Sequence, residues 1–420
     1  MKKLLVSVLL GLIGLGLSAQ ESESAKTGWS FVPFPDVSYN SDLGLNLGAF
    51  SDFFYYGDGS VYPNFLHHIA VAGAWATKGS WYLHGMFDSP SLIPGARVTG
   101  SLTWRDCSAN NFYGFNGIAS PFDATMDMNQ ETRTAYYTYH RQLLRASALF
   151  QTARVAKPNA LAGLVFRHIG ISDFSLEKYD SDRTLYRAYQ AAGLIRSDEA
   201  AGGSSLELKL GGSWDTRDVE LVPNKGFYAE AYLNGNLDLS HGKYHYAQLV
   251  LHWRHFVPIV FKRLTFAYHL GLQQKFVGNM PFYMLPEIAT LYYQYEENEG
   301  MGSRYTARGF LYNRMLGEGY AWANLELRAT VVKFDLWNQH VAFVLMPFMD
   351  LASITTPFRE DEQKALPGLW QDIKLPVAAS AGLGVKLHVN TNFILSVDVG
   401  QGFHQQLSNL TVGMASTYMF

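Results

Sequence analysis

Cysteine is nearly absent. Cys107 stands alone, which excludes an internal disulfide and any metal site built on paired thiolates. Charge is scarce too: Asp, Glu, Lys and Arg make up 16% of the 420 residues, and the net charge of −3 argues against nucleic-acid binding driven by bulk electrostatics. Beyond Leu17 there is no run of the ~20 apolar residues that a membrane helix needs. Catalytic signatures are missing as well. The chain has no G-x-S-x-G nucleophile elbow and no H-E-x-x-H zinc pair. His67 and His68 are adjacent, so in a strand they point to opposite faces and cannot share one ion. His252 and His269 share a polar face, which suits a wet lining better than a metal site. Neither an enzyme nor a cofactor is expected.

What is present is aromatic and alternating. With 25 Tyr, 27 Phe, 9 Trp and 38 Gly, the chain has the composition of a wall with an apolar and a polar face and aromatic girdles. At the N-terminus, Lys2 and Lys3 precede the apolar stretch Leu4 to Leu17, and Ser18, Ala19 and Gln20 supply a cleavage point. Residues 1–19 therefore read as a secretory signal peptide, too short and too abruptly followed by polar residues to be a membrane span. No Cys follows, so a lipoprotein anchor is not indicated.

The period-two pattern carries the fold. Between Lys262 and Gln273, Leu264, Phe266, Tyr268, Leu270 and Leu272 alternate with Arg263, Thr265, His269 and Gln273. Similar alternation fills 226–237, 243–256 and 320–332, where Asn324, Glu326 and Arg328 share the polar face. Successive strand residues point to opposite faces, so each segment offers one face to lipid and one to a lumen. Soluble sandwiches alternate too, but their strands run about five or six residues, whereas these run roughly ten to thirteen, enough to cross a bilayer at a tilt. About sixteen segments can be counted from 41–54 to 410–420, an even number as expected of a bacterial barrel. Two of them, 131–140 and 145–155, also read as an amphipathic helix. The stretches 173–203, 276–319 and 353–375 become long extracellular loops, and 257–261, 333–339 and 389–391 short periplasmic turns. The stretch 107–130 is too long for the periplasmic turn that this count assigns it. The expected organisation is a signal peptide (1–19), a short periplasmic segment (20–40) and an outer-membrane β-barrel (41–420). The expected fold is all-β, a transmembrane antiparallel barrel of about sixteen strands.

Three motifs give the barrel a family resemblance. Trp214-Asp215-Thr216-Arg217-Asp218, followed by Pro223 and Gly226-Phe227, forms a D-x-R-D…P…G turn. Arg308-Gly309-Phe310 lies inside the long loop 276–319. Phe348-Met349-Asp350 forms an F-x-D strand motif downstream of Glu326-Leu327-Arg328. In order and spacing these resemble the BamA/TamA (bacterial surface antigen) insertase superfamily. The resemblance implies that the long loop folds into the lumen and that Arg308 bridges to Asp350, with Glu326 beside it. By alternation both carboxylates face inward, and a guanidinium is a planar fork suited to them. The Asp215, Arg217, Asp218, Pro223 and Gly226 turn reads as structural. Tyr418 and Phe420, placed on one face with Val412 and Met414, resemble a C-terminal assembly signal.

The resemblance implies outer-membrane protein insertion or translocation, with outer-membrane lipids, client proteins and periplasmic or lipoprotein subunits as partners. The twenty or so residues before the first expected strand leave no room for a POTRA domain. An accessory scaffold and a passive channel therefore stand as alternatives. In the insertase reading, the weak point of the wall is the seam between the strand near Leu43 to Phe53 and the last one, with Gly44, Gly48 and Gly413 loosening it.

Overall fold

The computed structural model of the chain describes residues 26–420 except for 41–43, 63, 78, 130, 154–156, 177–178, 181, 221, 293–299, 303–305, 337–338, 374–376, 390–392, 405, 408–409 and 416–417. The expected signal peptide, 1–19, lies outside the described residues.

The first eight strands are β1 (Trp29–Asn40), β2 (Gly44–Tyr55), β3 (His67–Ala76), β4 (Trp81–Ile93), β5 (Ala96–Asn111), β6 (Thr138–Thr152), β7 (Pro158–Ser172) and β8 (Gly202–Asp215). The second eight are β9 (Gly226–Asp238), β10 (Tyr246–Val260), β11 (Leu264–Gly278), β12 (Gly319–Leu336), β13 (Gln339–Thr356), β14 (Ala378–Val389), β15 (Phe393–Gly402) and β16 (Thr411–Ala415). Each pairs antiparallel with the next, in one sixteen-stranded sheet ordered β1 to β16. The fold is the expected all-β barrel. Among the described residues no pairing joins β16 back to β1.

Alternation sorts the side chains as the sequence requires. On β8, Leu208 and Leu210 are 44% and 50% exposed while Glu207 and Lys209 between them are buried. On β9, Leu233 and Leu237 face out, and Glu230, Asn234 and Asn236 face in. A polar inner wall this buried means that the lumen is filled.

Two corrections to the strand assignment cancel in the total. Residues 29–40, expected to precede the barrel, form β1, paired with β2 from Trp29↔Tyr55 to Asn40↔Gly44. Pro33 and Pro35 hid it, because proline inside a candidate strand argues against the assignment except at an edge, which is where β1 lies. Conversely, the two segments expected at 131–140 and 145–155 are one strand, β6, preceded by loop residues Ala135 and Tyr137 that are buried under the cap. The shift explains the awkward stretch 107–130. It belongs to the end of β5 and to the β5–β6 loop, 112–137, which emerges at the same end as the other long loops, 173–201, 279–318 and 357–377.

Those loops fold over one end of the barrel. Phe112, Tyr113 and Phe115 of the first loop, Tyr186 and Tyr189 of the second, Phe282 and Tyr283 of the third and Phe358 of the fourth form a single buried cluster. Phe115 meets Tyr189 edge-on at 5.1 Å and Phe358 at 4.7 Å, geometries that add to plain burial. Gln363, fully buried, donates to Ser120 Oγ (2.9 Å), Tyr189 Oη (3.0 Å) and Leu369 O (2.8 Å), and its own oxygen accepts from Asn116 (2.9 Å). One amide thus ties three loops.

Pro347 lies inside β13, where its missing N–H removes one ladder donor without forming a bulge beside Asp350. The β12–β13 register is the same on either side of it (Glu326↔Phe348, Ala329↔Leu345), and the shifts fall between Gly319 and Tyr320 and between Thr330 and Val332.

Candidate functional site

The loop joining β11 to β12, 279–318, does not stay at the cap. Gly278 starts the excursion with a φ of +86°, where an added Cβ would lie 2.1 Å from His245 O. Phe282 is seated first, its amide donating to Glu199 at 3.0 Å. The chain then descends along the inner wall. Glu287 accepts from Arg141 of β6 at 2.7 Å and from Arg167 of β7 at 3.2 Å, while Arg167 also donates to Glu207 of β8 at 2.9 Å. Gln273 of β11 clasps the loop backbone, donating to Glu287 O (3.1 Å) and accepting from Ala289 N (2.8 Å). Lys209 donates to Thr290 O, and Tyr292 to Gln151.

On its return the loop carries Arg308 to the opposite wall. Arg308 Nε and Nη2 donate to the two oxygens of Asp350 at 2.8 and 2.9 Å, and its backbone amide donates to the same carboxylate at 2.8 Å. Nη1 donates to Glu326 at 2.8 Å. The guanidinium lies 3.7 Å from the Phe348 ring centre, so cation–π attraction adds to the fork. Both carboxylates are fully buried and Arg308 is 4% exposed. Glu326 is shared, its other oxygen accepting from Arg328 at 2.9 Å.

Gly309 follows with a φ of +83°, its missing Cβ leaving room for the Gln401 backbone 2.9 Å away. Its amide donates to Thr411 Oγ1 at 3.0 Å and its carbonyl accepts from Gly402 N at 3.0 Å. Phe310 is buried among Tyr320, Trp322, Ala352 and Leu407. The Arg308-Gly309-Phe310 tip therefore touches β12, β13, β15 and β16, and Ser380 of β14 donates to Arg308 O.

The turn between β8 and β9 fills the other mouth. Asp215 grips Arg217 through Nε at 2.9 Å and Nη2 at 2.6 Å. Asp218 accepts from the amides of Val219, Asn224 and Lys225 at 3.0, 2.9 and 3.1 Å. Pro223 is buried, and Gly226 at φ +98° would place a Cβ 2.3 Å from Thr216 O. This stiff arch leans into the barrel: Glu220 lies 3.4 Å from Arg97 of β5, and Val222 packs on Met346, Phe348, Ile394 and Tyr418. β5 and β13 stand eight strands apart, so the turn spans the opening.

The C-terminal residues depart from the expected face. Val412 and Met414 of β16 are 65% and 49% exposed and point outward, but Tyr418 is buried, with its hydroxyl 2.9 Å from His388. The Phe420 ring sits 5.4 Å from that of His269, and Arg328 donates to Phe420 O at 2.9 Å. The one-face reading assumed an unbroken strand, whereas β16 ends at Ala415.

Sequence reasoning missed Glu287 and Arg314. Glu287 is the lone carboxylate in the apolar run Met280 to Tyr293, which was the available signal. Arg314 is fully buried and donates to three carbonyls, Gln406 (2.8 Å), Gly117 (2.5 Å) and Ser120 (2.8 Å), stitching three loops together. Burial lowers this guanidinium to about 10. His252 and His269 do meet, ring nitrogen to ring nitrogen at 2.9 Å, and His269 also meets Asn324 at 3.1 Å. Among the described residues no three His, Cys, Asp or Glu side chains gather as a metal site would require.

The family model of the Omp85 superfamily domain matches residues 73–406. No curated protein matches the chain. Among solved structures, BamA from Haemophilus ducreyi lacking POTRA domains 1-3 is similar at a TM-score of 0.55 and 17% identity, over 93% of this chain and 70% of that one. CdiB from Escherichia coli is similar at a TM-score of 0.54 and 11% identity, over 92% of this chain and 61% of that one. The chain thus spans less than two thirds of CdiB. At these identities the likeness is one of fold.

Proposed function

The chain belongs to the Omp85 superfamily, and on that premise we propose that it is an outer-membrane barrel that assists the insertion of envelope proteins through its wall rather than their passage along its lumen. One observation carries this reading. The loop 279–318 is tied to opposite walls by charge pairs of opposite polarity, Glu287 to Arg141 and Arg167, and Arg308 to Asp350 and Glu326. With the cap above and the β8–β9 turn below, the axial route is occupied at three levels. The wall, by contrast, has a seam at which neither β1 nor β16 pairs across its outer edge among the described residues.

In this reading no covalent chemistry is required. Arg308, Gly309 and Phe310 hold the loop against the seam-side strands, and Asp350 and Glu326 hold Arg308. Asp215, Arg217, Asp218, Pro223 and Gly226 shape the lower closure, and Tyr418 and Phe420 serve as an assembly signal. Residues 1–19 direct export. Partners are outer-membrane lipids, client outer-membrane proteins and periplasmic or lipoprotein subunits. The test is reconstitution in lipid vesicles with an unfolded outer-membrane protein, alone and with the subunits that co-purify from native membranes. A client that folds faster in loaded than in empty vesicles supports the reading. Equal rates in both, with co-purifying subunits present, overturn it in favour of the scaffold.

A further inference from the structure

The seam edge of β1 carries an irregularity of its own. Tyr56 N donates to Gly28 O at 2.9 Å, one step beyond the Trp29↔Tyr55 pair, which fixes the phase of the β1–β2 ladder. Hydrogen-bonded and non-hydrogen-bonded pairs alternate in an antiparallel ladder. Ser30, Val32, Phe34, Asp36 and Ser38 therefore bond to β2, and the odd-numbered residues turn their backbone groups the other way, toward the seam. The outer-face contacts Trp29–Tyr55 (5.0 Å between rings) and Phe31–Phe53 (4.8 Å) agree, because side chains approach more closely in non-hydrogen-bonded pairs.

Two of those odd residues are Pro33 and Pro35, and both are exposed. Proline has no N–H to give. From Phe31 to Val37 the seam edge thus offers carbonyls but no donor in between. At ~3.4 Å per residue the gap is about 20 Å long, and at a tilt of ~40° it covers roughly half of the ~30 Å hydrocarbon core. A strand laid along this edge would find two successive ladder donors missing in the middle of its length. On the other side of the seam, β16 is Thr411–Ala415 and among the described residues pairs only with β15.

We propose that Pro33 and Pro35 are what keep β1 from pairing with β16 across the membrane core, leaving the seam unzipped by design of the edge rather than by weakness of the strands beside it. Gly44 and Gly48, expected to loosen the seam, lie on β2 in the interior of the sheet, and a Cβ on Gly48 would sit 2.3 Å from Gly73 O of β3. Gly48 serves close packing there. The inference concerns how the seam is held and stands apart from whether clients pass through it.

The test is residue-resolved amide exchange on the full chain in lipid nanodiscs, with wild type and the Pro33→Val/Pro35→Val pair. In wild type, Phe31 and Val37 are expected to exchange at least about tenfold faster than Val32 and Phe34, which are held by β2. In the double variant, the amides of Phe31, Val37 and Thr411–Ala415 are expected to slow, and the amides newly present at positions 33 and 35 are expected to be as protected as Val32 and Phe34. Two results overturn the proposal. One is Phe31 and Val37 as slow as their neighbours in wild type, meaning a seam zipped despite the prolines. The other is odd-numbered amides that stay fast once the donors are restored. Should the double variant not fold, the wild-type pattern alone decides.

Discussion

Removing the Arg308 side chain is the perturbation with the largest consequence inside the lumen. Arg308→Ala deletes three side-chain hydrogen bonds and leaves Asp350, fully buried, without its guanidinium. Glu326 fares better because Arg328 still donates to it at 2.9 Å. Breaking a buried ion pair by removing one partner costs ~3–5 kcal/mol, since the remaining charge is uncompensated. At 1.4 kcal/mol per tenfold, the undocked population of the loop should rise by about two to three and a half orders of magnitude. The effect is local, because the cap and the Glu287 anchor remain. Limited proteolysis of 279–318 in detergent, followed by mass spectrometry, reads that population directly. Arg308→Lys should recover only part of the loss, since an ammonium cannot reproduce the fork. Asp350→Ala combined with Arg308→Ala should cost little more than either change alone, a coupling of at least ~1.5 kcal/mol. Wild-type protease resistance in Arg308→Ala, or simple additivity with Asp350→Ala, would refute the reasoning.

Three further expectations rest on separate contacts. Glu287→Gln should loosen the descending limb of the loop by ~1–3 kcal/mol, less than Arg308→Ala because Arg167 keeps Glu207, and cleavage between 279 and 292 should report it. An unchanged cleavage rate would count against the second anchor. Gly226→Ala forces a side chain into a positive-φ position against Thr216 O and should cost ~1–3 kcal/mol, seen as a lower urea midpoint of the folded barrel. A wild-type midpoint would contradict the turn geometry. Gln363→Leu strips the amide shared by three cap loops, and amide exchange in 112–137 and 357–377 should accelerate while the strands stay protected. Unaltered exchange there would mean the cap is held by its aromatic cluster alone.

The sequence made some of this legible and hid the rest for identifiable reasons. β9, β10 and β11 could be read almost residue by residue, because lipid on one side and a polar lumen on the other impose strict alternation. β1 was hidden by Pro33 and Pro35, whose cost depends on which edge of the strand faces a neighbour, and pairing is not written in a single strand. β6 was split because the burial of Ala135 and Tyr137 comes from cap loops, not from the sheet. The carboxylates Glu326 and Asp350 could be assigned to the inner face by counting, but the path of the loop that brings Arg308 to them came only through family resemblance. Glu287 and Arg314 escaped both routes. Their partners are Arg141, Arg167 and backbone carbonyls far away in sequence, and no local pattern announces such contacts.

The central claim is that this barrel's lumen is filled and that its working surface is the wall. Single-channel conductance of the purified chain in planar bilayers tests it most directly. A filled lumen gives a closed baseline with brief, small openings for the wild type, and larger, longer openings in Arg308→Ala. Large, steady openings in the wild type, unchanged in the variant, would contradict the filled lumen and restore the passive channel.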